Sequence, residues 1–232
     1  MDLSVATWNL QGRDPDNAGM AALVGRHDPD ILLIQEADPP AIAACGSLVG
    51  LAHRLLRADA GYPPGMAILS RFEVRESGAL ADPAGRRRPR LIWARLGVDD
   101  VDVVVGSLHA AAPVGDPRLD NPWRRAVNLR AIAAFAADLA GRPAIIGGDT
   151  NTLRYDIPEL RDAATVAGRR ARTWRPIGGA GWLPAIARLD RIFVTPDVEV
   201  IHSLTPCRIS RSDHCPVVAR LRISHGVTGE PS

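Results

Sequence analysis

The chain contains no lysine: all 28 of its basic side chains are arginine, set against 26 acidic residues, for a formal net charge of +2. A charge so close to neutral neither demands a nucleic-acid partner nor excludes one. Guanidinium groups suit bidentate phosphate contacts, but a chain-wide preference for arginine, in an alanine-rich sequence, reads as coding bias before function. Cysteine is scarce, occurring only as Cys45, Cys207 and Cys215. An odd count without close pairs argues against a disulfide framework and for a reducing compartment. No apolar run approaches the roughly 20 residues needed to span a bilayer. No secretory leader is visible, because the first predicted strand starts at Leu3 and leaves no room for a basic segment followed by an apolar one. The expected location is therefore cytoplasmic. No Ser/Gly-rich linker, repeat or low-complexity tract divides the 232 residues. A single domain over 1–224 is expected, followed by a flexible tail over 225–232. A domain of that size buries enough surface to fold without disulfides or a structural metal.

What is present is a succession of short apolar stretches. Strands are predicted over 3–10, 31–34, 66–69, 74–80, 91–98, 101–108, 144–146, 189–194, 199–204 and 216–223. The acidic pair Asp99-Asp100 between two of them predicts a hairpin. Asp16 is placed to cap a helix over 18–26, with Met20, Leu23 and Val24 on one face. A short helix is expected from Pro39, since proline is accepted in a first helical turn. The clearest helix covers 124–139, where Val127, Ala131, Ile132, Phe135 and Leu139 recur at three- and four-residue steps until Gly141 and Pro143 stop it. Strands outnumber helices, and hairpins mix with helical crossovers. The class implied is α+β, with two sheets packed face to face and helices outside.

The chemistry-bearing residues share one placement. Asn9, Glu36, His109, Asp149 and Asn151 each follow an apolar strand at its C-terminal end, while Asp213 and His214 immediately precede the last strand. Strand ends hold side chains rigidly, and the ends of neighbouring strands converge. The carboxylates of Glu36 and Asp213 and the amide oxygens of Asn9 and Asn151 are hard donors, which favour Mg²⁺ or Mn²⁺ over Zn²⁺. In Asp149-Thr150-Asn151 an extended backbone would turn the acid and the amide to one side, and Gly147-Gly148 before them permits close approach of backbone and ligand. Asp190 is a candidate to accept from His214 and fix its tautomer.

These residues lie in ordered motifs: Thr7-Trp8-Asn9, Ile34-Gln35-Glu36, Met66 to Arg71, Ser107-Leu108-His109, Gly147-Gly148-Asp149-Thr150-Asn151, Leu189-Asp190-Arg191-Ile192 and Ser212-Asp213-His214-Cys215-Pro216-Val217. The set resembles the motifs of the endonuclease/exonuclease/phosphatase (deoxyribonuclease I-like) superfamily, over roughly positions 5 to 220. The resemblance implies a four-layer αββα sandwich of two mixed β-sheets and a metal-dependent phosphoester hydrolase with its site at one edge of both sheets. It implies Glu36 as principal metal ligand, supported by Asn9 and Asp213. Asp149 would position or deprotonate the attacking water, and Asn151 would hold a phosphate oxygen. His214, oriented by Asp190, would contact the phosphate or move a proton, and His109 would stabilise the transition state or assist the leaving group. Gln11 departs from the pattern, standing where many nucleases of the group carry an acid that serves a second metal site.

Outside this set the reading is more open. Arg86-Arg87-Arg88-Pro89-Arg90 is either a solvated loop or a phosphate-binding rim. Arg125, near the start of the long helix, is assigned to substrate binding, as is Trp182, whose indole would line an apolar wall for a base or leaving group or else pack in the core. Cys207, Cys215 and His202 fit no common zinc spacing. A phosphodiesterase acting on nucleic acid is the leading function. A phosphatase or diesterase for a small phosphorylated metabolite or lipid head group is the alternative, and a silent binding module on the same fold is the third. No obligate protein partner is implied.

Overall fold

The computed structural model describes residues 1–11, 17–51, 53–57, 65–80, 89–112, 122–175, 184–209 and 212–224. In chain order the elements are β1 (Asp2–Asn9), α1 (Asn17–His27), β2 (Ile31–Ala37), α2 (Pro39–Val49), β3 (His53–Arg57), β4 (Gly65–Ser70), β5 (Glu73–Leu80), β6 (Leu91–Val98), β7 (Val101–His109), α3 (Pro122–Ala137), β8 (Ala144–Asp149), β9 (Arg161–Asp162), α4 (Ala163–Val166), β10 (Asp190–Val194), β11 (Val198–Leu204) and β12 (Val217–Ile223). A 3-10 turn covers Cys207–Ile209.

Among the described residues the strands form two six-stranded sheets, one in the order β11-β12-β1-β2-β4-β3 and the other in the order β5-β6-β7-β8-β10-β9. Both are mixed. β1 runs parallel to β2 but antiparallel to β12, and β7 runs parallel to β8 but antiparallel to β6. Side-chain alternation explains the layering. In β2, Ile31 and Leu33 point into the apolar layer between the sheets, with Val5, Ile92, Val105 and Ile145. Leu32 and Ile34 point the other way, onto Met20 and Leu23 of α1 and Ile42 of α2. A strand buried on both faces has to read as an unbroken apolar run, and 31–34 does. Each such side chain contributes roughly 1.5–3 kcal/mol by leaving water. On the far side Ile132 and Ala136 of α3 pack on Val104, Ile146 and Phe193. The result is the predicted four-layer αββα sandwich.

Local signals account for the element ends. Asp38 caps α2 by accepting from the Ala41 N–H at 2.8 Å, Pro39 and Pro40 occupy its first turn, and Gly50 ends it in the left-handed conformation. Val98 pairs with Val101, so Asp99-Asp100 is the two-residue turn of the predicted hairpin, with Asp99 at φ 50°. The Asp16 cap, Trp182, Arg86–Arg88, the segment 113–121 and the tail 225–232 lie outside the described residues.

The structure corrects several expectations. Of the predicted α3 stripe, Ile132 and, just past the helix, Leu139 are buried, while Val127, Ala131 and Phe135 are half-buried; Asn128 and Ala136 complete the buried ridge, and Phe135 lies beside Trp93 with ring centroids 6.2 Å apart. The strands β3 and β9 and the helix α4 were not expected. β9 has two residues and α4 four, too short for a periodic signal. Most directly, Cys207 and Cys215 form a disulfide, with Cα atoms 4.6 Å apart. They stand eight residues apart in sequence, and Cys207 opens the 3-10 turn. The inference of a reducing compartment loses that support. Cys45 is the free cysteine, and burial pushes its thiol up to about 12. No helix among the described residues is long and apolar enough to cross a membrane.

Candidate active site

Register brings the site together. In the second sheet Asp149 at the end of β8 stands opposite His109 of β7 on one side and Asp190 of β10 on the other, so all three side chains leave the sheet on one face. In the first sheet Asn9 ends β1 beside Gln35 of β2. The next residue, Glu36, is turned out of the ladder by an irregularity between Ile34 and Ala37 and takes φ 51°. Asn151 has φ 49° and Gln11 φ 57°. Three of the five non-glycine residues with positive φ among those described thus lie at this one place. Left-handed backbone is costly for side chains other than glycine and persists where surrounding contacts enforce it, commonly at functional sites.

The Asn9 amide joins the two sheets. Its Nδ2 donates to Glu36 Oε1 at 2.9 Å and to Asp149 Oδ2 at 3.1 Å. Its oxygen accepts from the Gln11 N–H at 2.9 Å. His109 Nε2 lies 3.3 Å from Glu36 Oε1 and 4.0 Å from Asp149 Oδ2. His214 Nδ1 meets Asp190 Oδ2 at 2.8 Å, as predicted, while its Nε2 faces Asp149 Oδ2 at 3.7 Å and Asp213 Oδ1 at 3.9 Å. Asn151 donates through Nδ2 to the Ala110 carbonyl at 2.9 Å, and its backbone N–H reaches Asp149 Oδ1 at 2.8 Å. Arg125, assigned from sequence to substrate, donates instead to the Asn151 carbonyl at 2.8 Å.

The electrostatics follow from burial and pairing. Burial pushes the Glu36 carboxyl up, but the hydrogen bonds from His109 and Asn9 and the charge of His109 outweigh it and hold it at about 2. Burial disfavours the His109 cation, yet Glu36 and Asp149 raise its proton affinity above the ordinary value. For Asp149, burial and then the Asp190 charge push the carboxyl up against the pull of His214. Asp213 is likewise raised by burial. Burial opposes the His214 cation, but Asp190 and Asp149 hold it protonated, to about 10. The site therefore contains one strongly ionised acid, Glu36, two acids with raised proton affinity, Asp149 and Asp213, and an imidazolium clamped between carboxylates.

Several residues outside the assigned catalytic and metal set support it. Trp174 Nε1 donates to Asp213 Oδ2 at 3.1 Å, so this indole holds an acid of the site. Thr173 Oγ1 accepts from the N–H groups of Leu189 and Asp190 at 3.0 Å each. Ser212 Oγ donates to the Asn9 carbonyl at 2.8 Å and accepts from the His214 N–H at 3.1 Å. Gln11 is not a bystander either, since its Oε1 accepts from the Asp213 N–H at 3.4 Å.

A divalent cation is the group this donor set suits. Glu36, His109 and Asp149 offer two carboxylate oxygens and an imidazole nitrogen, all within 4.8 Å of one another. The Glu36 side chain is 28% exposed, so it is open to an ion, and it stays ionised at any physiological pH.

The fold matches an endonuclease/exonuclease/phosphatase family protein of Bacteroides thetaiotaomicron with a TM-score of 0.78 and 20% identity, over 97% of this chain and 99% of that one. It matches a mannosyl-6-phosphatase of the same organism with a TM-score of 0.76 and 18% identity, over 95% and 100%. It matches D. rerio TDP2 complexed with a single-strand DNA product with a TM-score of 0.72 and 20% identity, over 95% and 99%. No curated protein sequence matches this chain closely. The sequence pattern of the Endonuclease/Exonuclease/phosphatase family matches residues 6–214, and the chain belongs to that family.

Proposed function

We propose that the chain is a phosphoester hydrolase dependent on Mg²⁺, with Mn²⁺ as substitute, and that nucleic-acid phosphodiesters are its leading substrate class. The observation that carries this reading is the Asn9 amide, which ties Glu36 of one sheet to Asp149 of the other beside His109 and His214. Glu36 is the principal ligand for the cation, with Asp213 nearby. A half-turn of the Asn9 amide would present its oxygen to the same space. The bound cation supplies positive charge to the non-bridging phosphate oxygens.

The remaining work belongs to the protein. Asp149 has raised proton affinity, which suits a group that orients water and takes its proton near neutral pH. Asn151 spends one amide hydrogen on Ala110, leaving the other for a phosphate oxygen. His214, held through Nδ1 by Asp190, directs Nε2 at the site as a fixed donor to charge developing on phosphate. His109 stands beside Glu36, where it faces the phosphate or the leaving oxygen. Removing one such preorganised donor typically costs about 10²–10³ in rate.

The test compares wild type with Glu36→Gln and His214→Ala on single-stranded and abasic DNA, bis-p-nitrophenyl phosphate and a panel of phosphomonoesters, with Mg²⁺ and with EDTA. Wild-type turnover that needs Mg²⁺ and falls at least about 100-fold in both variants is expected. Turnover confined to phosphomonoesters would replace the diesterase assignment with a phosphatase, as the mannosyl-6-phosphatase among the structural neighbours is named. Equal rates in all three proteins would remove the site assignment. Calorimetric Mg²⁺ binding without turnover of any ester would leave a binding module.

A further inference from the structure

Arg191 follows Asp190 in β10 and is 2% exposed. Alternation along the strand separates the two. Ile192 lies in the layer between the sheets, whereas Phe193 packs on the α3 side. Asp190 shares the inner face and reaches His214, and Arg191 shares the outer face and cannot touch a substrate in the site. Its guanidinium turns instead to the segment that leaves β8. Nη1 donates to Thr150 Oγ1 and, at 2.9 Å, to the Thr152 carbonyl. Nη2 donates to the Leu153 carbonyl at 2.8 Å. Nε faces Asp162 Oδ2 at 3.8 Å. From the other side, Arg125 of α3 holds the Asn151 carbonyl.

We infer that Arg191 is a positioning residue for the reaction, forming with Arg125 a two-sided guanidinium clamp that holds the Asp149–Leu153 turn, and with it Asp149 and Asn151, in the geometry the site requires. The inference rests on the reading of Asp149 and Asn151 under Proposed function. The backbone supplies its physical reason. Asn151 sits at φ 49°, a conformation that relaxes unless neighbouring contacts fix it. The turn runs outside the sheet ladder, so few backbone partners hold it: the Thr150 N–H reaches the Leu189 carbonyl at 2.9 Å and the Asn151 N–H uses Asp149 Oδ1. Successive carbonyls at 151, 152 and 153 therefore look outward for donors. A planar fork with five N–H groups in fixed directions serves several acceptors at once, which a lysine ammonium cannot do in the same geometry. One strand thus controls both halves of the site. Asp190 orients His214 from the inner face, and Arg191 sets the Asp149–Asn151 turn from the outer face.

The experiment uses the full chain with Mg²⁺ and bis-p-nitrophenyl phosphate. Arg191→Lys keeps the charge but loses the fork. Thr150→Val removes the hydroxyl that accepts from Arg191 and donates to the Leu189 carbonyl at 2.7 Å, and leaves Arg191 in place. Thr195→Val is the control: Thr195 Oγ1 accepts from the Ala144 N–H and donates to the Arg142 carbonyl at the opposite end of the same strands. Arg191→Lys is expected to lower kcat at least about tenfold with KM within about threefold, Thr150→Val to lower kcat by a smaller factor, and Thr195→Val to leave both constants unchanged at a temperature where all are folded. In parallel, amide hydrogen exchange on the metal-free proteins should be at least about tenfold faster at Thr150 and Asn151 in Arg191→Lys and unchanged in the control. That second measurement needs no activity. A wild type inert on every phosphoester would end the reading under Proposed function, while lost protection at 150–151 would still support the clamp. Unchanged protection, or a kcat loss no larger than that of Thr195→Val, would overturn it.

Discussion

Gln35 Nε2 donates to Ser107 Oγ across the interface between the two sheets at 3.0 Å, with both residues fully buried. The same amide nitrogen reaches Thr7 Oγ1 at 3.1 Å, and Ser107 Oγ donates onward to the Ile34 carbonyl at 3.0 Å. Gln35 immediately precedes Glu36, and Ser107 stands two residues before His109. A polar link inside an otherwise apolar interface thus fixes the spacing between the strand that carries Glu36 and the strand that carries His109. Ser107→Ala removes one acceptor and one donor from a buried network, and leaving such groups unmet costs about 1–3 kcal/mol. Urea unfolding should show a loss in that range. A variant as stable as wild type would mean that the link contributes nothing net.

The apolar run 31–34, the hairpin at Asp99-Asp100 and the placement of polar motifs at strand ends were legible in the sequence, because each is a local pattern: an unbroken apolar run, a turn signal, or a polar residue closing an apolar stretch. So was the pairing of Asp190 with His214, although their proximity depends on register between distant segments. What stayed hidden is chemistry that only tertiary packing creates. Arg125 reads as a cation free for substrate until α3 is seen to lie against the 149–153 turn. Gln35 and Ser107 look like ordinary strand residues until two sheets face one another. Cys207 and Cys215 show no pairing signal, since only the folded chain brings their Cα atoms to bridging distance.

Gly148 tolerates no side chain. Its φ is +152°, and a Cβ there would lie 1.9 Å from the Leu108 carbonyl oxygen of the neighbouring strand. Relief would require β7 and β8 to separate just where His109 faces Asp149. Gly148→Ala should therefore either fail to accumulate as folded protein or lose more than about 3 kcal/mol, within the exceptional range for a single substitution. Gly141→Ala offers the contrast. That glycine is also at positive φ but has open space around it, so its cost should stay near the roughly 1 kcal/mol of left-handed strain. Circular dichroism thermal melts of the two purified variants would compare them, and equal melting losses would contradict the steric account.

The disulfide makes a countable prediction. Under denaturing, non-reducing conditions one thiol, Cys45, should react with iodoacetamide, and after reduction three should. Intact-mass spectrometry reads the difference directly, and three modified cysteines without reductant would show the bridge absent. Cys207→Ser opens a loop of eight residues, for which the chain-entropy relation gives about 2–3 kcal/mol. Because Cys215 follows His214, the same variant should loosen the segment that presents His214 to Asp190.

His214 should remain an imidazolium through neutral pH in the metal-free protein. Three carboxylates face it: Asp190 at Nδ1, and Asp149 and Asp213 at Nε2. They outweigh the burial that would otherwise discharge the ring, and hold it protonated to about 10, above the ordinary 6.5. A group whose proton affinity is raised by folding stabilises the native state while it is protonated in both states. The contribution is therefore complete below pH 6.5 and is lost as pH rises through about 10. Asp149, raised to about 6 by burial, loses its contribution at the acid edge of this window. Asp190→Asn removes the closest partner and should bring the His214 titration down toward or below its ordinary value. Two measurements check this in EDTA. The His214 ring Cε1 proton, followed by NMR from pH 5 to 10, should titrate above 8 in wild type and below 7 in the variant. The stability gap between the two proteins, on the order of a few kcal/mol at pH 6, should shrink steadily toward pH 10. A wild-type His214 that titrates near 6.5 would mean that the carboxylates do not stabilise its cation, and the role of fixed charged donor would pass to another residue.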